Sequence, residues 1–160
     1  MSGGAGVPGI TVEPGCGQGL RLVVVAAQWH AEVAEGLLAG ALAALDRSGA
    51  EVEVIRVPGA FELPVATLRA LQAGADAAVA LGVVIQGETP HFEYVCRAAT
   101  EGLTQVALTT GKAVGFGVLT VDDAEQAIDR AGLPHSREDK GGEAATAALQ
   151  TALVLRQLAG

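Results

Sequence analysis

Two hydrophobic periods alternate along this chain, and their order predicts strands that are each followed by a helix. A short apolar run at residues 20–27 precedes residues 31–47, where apolar side chains recur at helical spacing until Ser48 and Gly49. Residues 51–57 alternate between polar and apolar, as in a strand near a sheet edge, and a helix follows from about residue 62 to residue 73. These segments form two strand–helix units.

Two further units and a closing helix complete the pattern. Residues 76–85 are almost uniformly apolar, which is typical of a central parallel strand covered on both faces, and a helix is predicted from residue 90 to about 108. A strand at 114–120, a helix from 121 or 122 to 131, and a last helix from about 142 to 158 follow. Four strands alternating with helices predict an α/β fold: a doubly wound, three-layer α/β/α sandwich with a four-stranded parallel sheet.

The length and the glycine distribution predict one domain with an N-terminal arm. The 160 residues suffice for one full core but not comfortably for two. Residues 1–19 hold seven glycines and two prolines, a composition that buries too little apolar surface to order itself alone. We therefore expect a flexible arm at 1–19 and a single domain at 20–160.

Charge and composition remove several classes of function. The net charge is -8 and the chain has only two lysines, whereas a nucleic-acid phosphate backbone requires clustered cations. No run approaches the roughly 18 apolar residues of a membrane span, and the start of the chain lacks the features of a signal peptide. Cys16 and Cys96 are far apart and have no metal-ligand spacing. We expect a cytoplasmic protein with reduced thiols and no zinc, nucleic-acid or membrane partner.

Candidate chemistry collects where the predicted strands end. Ligands of doubly wound sheets bind beyond the carboxyl ends of the strands, near the point where the strand order reverses. The first three strands end in residues 28–30, 58–62 and 87–91, so these segments should meet at one crevice. Trp29, the single tryptophan, is placed there to stack on a planar ligand, although a core position is the alternative.

His91 is the candidate proton carrier. Thr89 fits the N-cap of a helix and Pro90 its first position, which puts His91 in the first turn. Free amides and the positive end of the helix dipole favour a phosphate or another anion at that turn. A capping or packing histidine is the alternative reading, and His30 and His135 are weaker candidates.

Ala60, Phe61 and Glu62 form the candidate contacts for a polyol. Their backbone amides and one carboxylate would be exposed at a helix start. Glu62 could equally serve only as an N-terminal helix charge. Phe116 falls near the start of the fourth strand, at the opposite edge of the predicted sheet from the crevice, and Arg130 lies on the helix beyond it. If they serve the same kind of site, they must do so in a neighbouring subunit, which would make the active site an interface.

With these residues placed, residues 20–158 closely resemble the lumazine synthase family of riboflavin biosynthesis. Several motifs in the same order carry the resemblance. They are Trp29, the PGAFELP motif at 58–64, residues 80–95 with GETPHF at 87–92, FGVLT at 116–120, EQA at 125–127 and DRAG at 129–132.

The resemblance implies a flavodoxin-like fold and a cofactor-independent transferase. Members of this family condense 5-amino-6-(D-ribitylamino)uracil with 3,4-dihydroxy-2-butanone 4-phosphate and release phosphate and water. An amine of the uracil forms an imine with the ketone, phosphate is eliminated, and the second amine closes the ring. The implied partners are these two small molecules and further copies of the chain, with no metal.

The resemblance also assigns roles to residues. Trp29 would stack on the pyrimidine and Phe116 of the adjacent subunit would cover its other side, while His91 would be the general acid/base with Lys140 close enough to assist. The other implied contacts are to the ribityl chain by Ala60, Phe61 and Glu62, to the ring by Val83, Val84 and Ile85, and to the phosphate by Gly87, Glu88, Thr89 and the neighbour's Arg130.

Two departures from the family pattern bear on affinity and assembly. Gln86 stands where relatives often have Lys or Arg, so one positive charge near the phosphate turn is missing. The connection at residues 133–141 is longer than in members that build icosahedral shells, and longer versions accompany free pentamers. The resemblance therefore implies a homopentamer, with a 60-subunit shell as the lesser alternative.

Two other functions are compatible with the same pattern. The pocket could retain flavins or lumazines without turnover, or the chain could be a scaffold with a vestigial pocket. The apolar strands and the alanine-rich last helix fit all three functions, so only the residues at the strand ends discriminate between them.

Overall fold

The computed structural model describes residues 11–159. Residues 1–10, which form the first half of the predicted arm, and residue 160 lie outside that range. Within 11–19, the amides of Gly15 and Gly17 donate to the carbonyls of Arg47 and Ser48 at 2.8 and 2.7 Å, and Val12 and Cys16 pack against the apolar core. This half of the predicted arm therefore contacts the body of the domain.

Within residues 11–159, four parallel strands form one sheet, as the alternating pattern predicted. They are β1 (Arg21–Ala27), β2 (Glu51–Val57), β3 (Ala77–Ile85) and β4 (Ala113–Val121), in the order β2-β1-β3-β4. The strand order reverses between β1 and β3. Ligands of such sheets bind next to this reversal, so the carboxyl ends of β1 and β3 mark the place to look for a site.

In the described part of the chain, five helices flank the sheet in two layers. α1 (Ala31–Leu45), α4 (Ala124–Asp129) and α5 (Lys140–Ala159) cover one face, and α2 (Leu63–Gln72) and α3 (His91–Thr110) cover the other. The central strands β1 and β3 are buried almost throughout because both of their faces are covered, whereas β2 alternates as an edge strand. The predicted doubly wound α/β class is confirmed.

The bounds of several helices differ from the prediction. A 3₁₀ turn at Ala60–Glu62 precedes α2. α4 is shorter at both ends than predicted because Asp123 caps it, accepting a hydrogen bond from the Gln126 amide, and because Ala131 leaves the helix to pair with Asp139. α5 begins at Lys140, two residues early, since the Asp139 carboxylate accepts a hydrogen bond from the Gly142 amide at 2.9 Å and thereby caps it.

Helices α1 and α5 pack closely through a glycine, which gives a test of the fold. A Cβ at Gly141 would lie 2.0 Å from the Leu37 carbonyl oxygen. Gly141→Ala is therefore expected to force the helices apart and to lower the free energy of unfolding by about 1–3 kcal/mol. Urea denaturation measures the loss. Thr151→Ala, at an exposed position of the same helix, should change stability by less than about 0.5 kcal/mol, and equal stabilities of the two variants would contradict the packing.

Candidate active site

A cavity of about 540 Å³ opens at the carboxyl ends of β1, β2 and β3. We call it the strand-end cavity. Seven residues of this chain were predicted to contact the ring or its polyol chain, and His91 was predicted to carry protons. All eight line this cavity. The lining comprises Trp29, His30, Ala60, Phe61, Glu62, Val83, Val84, Ile85, His91, Tyr94 and Val95.

Trp29 and Phe61 present aromatic rings to this cavity. Trp29 is 64% exposed and Phe61 63%, so the alternative of a core tryptophan is wrong. The Trp29 amide donates to the Pro58 carbonyl at 3.0 Å, and the indole lies against the backbone of Gly59, where an added Cβ would meet Trp29 Cε3 at 2.5 Å. The absence of a side chain at Gly59 thus allows the indole its position at the mouth of the cavity.

His30 follows Trp29 in a left-handed backbone conformation, with φ 60° and ψ 63°. It is the one residue other than glycine with positive φ among residues 11–159. This conformation costs an ordinary side chain about 1–2 kcal/mol, and such residues concentrate at functional sites. The turn reverses the chain between β1 and α1 and brings the imidazole to the cavity wall.

The end of β3 leaves backbone groups open toward the cavity. β3 pairs with β4 through to Ile85, but its pairing with β1 ends at Leu81. The groups of Val83, Val84 and Ile85 that point toward β1 therefore have no strand partner in the described sheet. Such groups are suited to hydrogen bonding with the edge of a heterocyclic ring.

The turn before α3 differs slightly from its prediction. α3 begins at His91, with Pro90 as the residue before it, rather than at Pro90. The Thr89 hydroxyl still accepts a hydrogen bond from the His91 amide, at a long 3.4 Å. Glu88, Thr89 and His91 are all exposed, and nothing lies within 4 Å of the position that a Cβ on Gly87 would take. The start of the helix is therefore open to a ligand, next to the strand-end cavity.

Glu62 has a local partner. Its carboxylate accepts a hydrogen bond from the Gly59 amide at 3.0 Å and so closes the 3₁₀ turn. Glu62 thus has the role at the helix start that was predicted as the alternative. This hydrogen bond uses one carboxylate oxygen and leaves the other available on the cavity wall.

Phe116, Arg130 and Lys140 lie together elsewhere, on a shallow cavity along the edge strand β4. We call it the edge cavity. Phe116 is 45% exposed there, and the wall continues along β4 from Gly117 to Val121. Among the described residues, the two cavities have no lining residue in common. The predicted site residues therefore form two separate groups on one chain. Lys140, which the resemblance placed close enough to assist His91, lines the edge cavity and not the cavity of His91 on the same chain.

A backbone bridge sets Arg130 beside Lys140. Ala131 pairs with Asp139 in an isolated antiparallel bridge, and the Lys140 amide donates to the Arg130 carbonyl at 3.0 Å. Between the two cations lies Glu138, whose side chain is 2% exposed. Contact with the Glu138 carboxylate raises the pKa of Lys140; burial opposes this and Glu143 adds to it. Lys140 accordingly remains an ammonium.

The long connection before α5 is also fixed by Asp129. Arg137 donates to this carboxylate from its amide at 3.0 Å and from Nε at 2.6 Å, and these bonds hold the pKa of Asp129 below its ordinary value. His135 lines a polar surface hollow next to this pair, apart from the strand-end cavity.

Neither a metal cluster nor a membrane helix is found in residues 11–159. No group of three or more His, Cys, Asp or Glu side chains in that range could hold a metal ion. No helix there is both long and apolar enough to cross a bilayer.

Burial raises the pKa of the Cys96 thiol, and both cysteines are free.

Known proteins match this chain along almost its whole length. The family model described as 6,7-dimethyl-8-ribityllumazine synthase matches residues 19–156. The chain belongs to this family. A protein named 6,7-dimethyl-8-ribityllumazine synthase from Leifsonia xyli subsp. xyli is 64% identical over 98% of this chain and 99% of its own length. Relatives with the same name from Kineococcus radiotolerans and Clavibacter michiganensis subsp. michiganensis are 64% and 60% identical over 98% of this chain, and over 96% and 98% of their own lengths.

Two residues of the cavity were not predicted from the resemblance to the lumazine synthase family: Tyr94 and Val95. Tyr94 and Val95 follow His91 by three and four positions on α3, so helical spacing could have placed all three on one face. His30, a weaker candidate for the proton carrier, lines the cavity as its position after the first strand predicted, but its left-handed backbone conformation cannot be read from the sequence pattern.

Proposed function

We propose that this chain is a 6,7-dimethyl-8-ribityllumazine synthase that condenses 5-amino-6-(D-ribitylamino)uracil with 3,4-dihydroxy-2-butanone 4-phosphate. The observation that carries the proposal is the composition of the strand-end cavity. This chain, which belongs to the family, brings together there an aromatic ring, unpaired backbone groups of β3, a carboxylate and a histidine. The proposed location is the cytoplasm, and the proposed reaction uses no cofactor.

The uracil substrate would occupy the strand-end cavity. Its planar ring would stack on Trp29 and hydrogen-bond to the free backbone edge at the end of β3. Its ribityl hydroxyls would meet the 3₁₀ turn at Ala60–Glu62, where the free carboxylate oxygen of Glu62 can accept from a hydroxyl. The flat and the polyol parts of the substrate thus fit two different walls.

The butanone phosphate would lie at the start of α3. The exposed turn of Gly87, Glu88 and Thr89 offers amides and the positive end of a 20-residue helix to the phosphate. His91, the first residue of that helix, would then be next to the reacting ketone. Imine formation, phosphate elimination and ring closure each move protons, which an imidazole can carry near neutral pH.

The edge cavity would complete the site of an adjacent copy. Phe116 would cover the open face of the pyrimidine, and Arg130 and Lys140 would bring positive charge to the phosphate. Support comes from their separation from the strand-end cavity on one chain and from the exposure of the Phe116 ring. We propose a homopentamer built in this way, with the 60-subunit shell as the alternative assembly.

Most of the acceleration would come from positioning. Holding an amine against a ketone in reacting geometry avoids the entropy cost of the encounter, which contributes about 7–11 kcal/mol in well-oriented systems.

To test the function, the purified protein is mixed with the two substrates and lumazine absorbance is followed. Formation at the spontaneous rate, with lumazine still bound tightly, would favour a binding protein instead.

Gly59→Ala tests the placement of Trp29. The added Cβ would approach the indole at 2.5 Å, so the ring must move away. We expect a shifted fluorescence emission, which is simple to interpret because Trp29 is the single tryptophan, and a KM for the uracil raised about tenfold. Gly87→Ala adds a Cβ in open space and should leave the emission unchanged. Unchanged emission in Gly59→Ala would contradict the contact.

A further inference from the structure

Glu138 is a buried acid with no role in the reaction assigned above. Its side chain is 2% exposed, with Oε1 3.0 Å from Lys140 Nζ and Oε2 3.8 Å from Arg130 Nε. Although Oε1 is close enough for an ion pair, it has no well-aligned hydrogen-bond donor among the described residues. One carboxylate therefore spans two cations.

Backbone hydrogen bonds fix the segment that carries this carboxylate. The Glu138 amide donates to the Asp129 carbonyl and its own carbonyl accepts from the Gly132 amide, both at 3.0 Å. These bonds join residues 138–140 to residues 129–132. Glu138, Arg130 and Lys140 therefore lie on two segments that are hydrogen-bonded to each other. The long connection before α5 is what brings an acid to this position.

Stability alone is a poor reason for such an arrangement. Taking charges out of water costs several kcal/mol per ion, and buried ion pairs are often no more stabilising than apolar replacements. The cations are also only partly buried, at 26% side-chain exposure each, so one side of each faces the edge cavity.

We propose that Glu138 is a positioning residue that holds Arg130 and Lys140 side by side, so that both meet the phosphate of the butanone substrate together. This inference rests on the proposed function. Free Arg and Lys side chains have many accessible rotamers, and this conformational entropy would otherwise be lost when phosphate binds. Fixing them beforehand transfers that cost to folding.

The other charges around the pair are less suited to this role. Glu143 lies 3.2 Å from Lys140 but does not contact Arg130, and its side chain is 26% exposed. On the Arg130 side, Nη1 donates to the Gln126 carbonyl at 2.9 Å, which anchors the guanidinium without reaching Lys140. Glu138 alone among the described acids contacts both cations.

Glu138→Asp separates position from charge, and Glu143→Asp is its matched control. Each variant keeps its negative charge but withdraws the carboxylate by one methylene. For Glu138→Asp we expect the KM for butanone phosphate and the inhibition constant of inorganic phosphate to rise about five- to tenfold, with the KM for the uracil within about twofold of wild type. Glu143→Asp should change all three constants by less than about twofold.

The measurements are made on the assembled protein, with sedimentation and thermal unfolding to check assembly and stability. If Glu138→Asp does not fold, Glu138→Gln replaces it. The glutamine side chain has the same length, but its single amide oxygen can accept a hydrogen bond from only one of the two cations. The same rise in the constants for butanone phosphate and inorganic phosphate is expected, without a rise in the KM for the uracil. The proposal would be overturned if Glu138→Asp kept the wild-type KM for butanone phosphate and inhibition constant of inorganic phosphate, if the KM values of both substrates rose equally, or if Glu143→Asp had an equal effect.

Inorganic phosphate binding measured by calorimetry does not depend on turnover. A wild-type protein that makes no lumazine would defeat the proposed function, while the calorimetric comparison would still test Glu138.

Discussion

Replacement of His91 by alanine is expected to lower the rate of lumazine formation by about a hundredfold, the lower end of the usual contribution of a positioned acid or base. His91 is exposed at the start of α3 and lines the strand-end cavity, so it is placed to exchange protons with a bound substrate. The KM for the uracil should change little because its ring contacts the other walls. Steady-state lumazine absorbance at saturating substrates measures the effect.

His135→Ala is the matched control for this prediction. His135 is also exposed, but it lines a surface hollow away from the strand-end cavity and should leave the rate within about twofold of wild type. Equal rates for His91→Ala and wild type would show that solvent moves the protons and that binding geometry alone accelerates the reaction. Retained lumazine binding in the slow variant would show that the pocket and the proton transfer are separable.

Co-expression of two impaired variants is expected to restore part of the activity, which is the second large effect. His91→Ala damages the strand-end cavity and Arg130→Ala the edge cavity, and each should reduce activity at least tenfold. If each site combines the strand-end cavity of one chain with the edge cavity of the next, a random equal mixture leaves about a quarter of the sites intact. The mixed oligomers should therefore recover about a quarter of wild-type activity.

The control for complementation pairs His91→Ala with Trp29→Ala. Both substitutions damage the strand-end cavity, so no arrangement of these chains contains an intact one, and activity should remain at the average of the parents. Differently tagged chains, purified sequentially, ensure that only mixed oligomers are assayed. Recovery confined to the first pair would establish an interface site. No recovery in either pair would place the whole site within one chain.

The sequence predicted the strands more closely than the helix ends because strand burial is repeated along many residues. The uniform apolar run of β3 and the alternation of β2 each report local burial directly, and both strands lie within one residue of their predicted bounds. Helix ends depend on single contacts. The bridge of Ala131 to Asp139 shortened α4, and the Asp139 cap lengthened α5 toward the N-terminus.

The strand-end cavity was predictable to the same degree as the strands. Parallel strands bring their carboxyl ends to one edge, so Trp29, Glu62 and His91 had to converge once the α/β order was recognised. Tyr94 was not predicted because the rotation of α3 decides whether its side chain reaches the cavity, and the left-handed backbone at His30 has no signal in the sequence pattern.

By itself, the sequence determined the class of fold and the family and predicted the candidate site residues, because hydrophobic periods and motifs are local properties of the chain. The tertiary structure decided how these residues are grouped. Only folding brings Gly59 under the Trp29 indole, sets Glu138 between Arg130 and Lys140, and separates the strand-end cavity from the edge cavity. These are contacts between different segments, and their distances depend on strand order and on close packing rather than on any pattern along the chain.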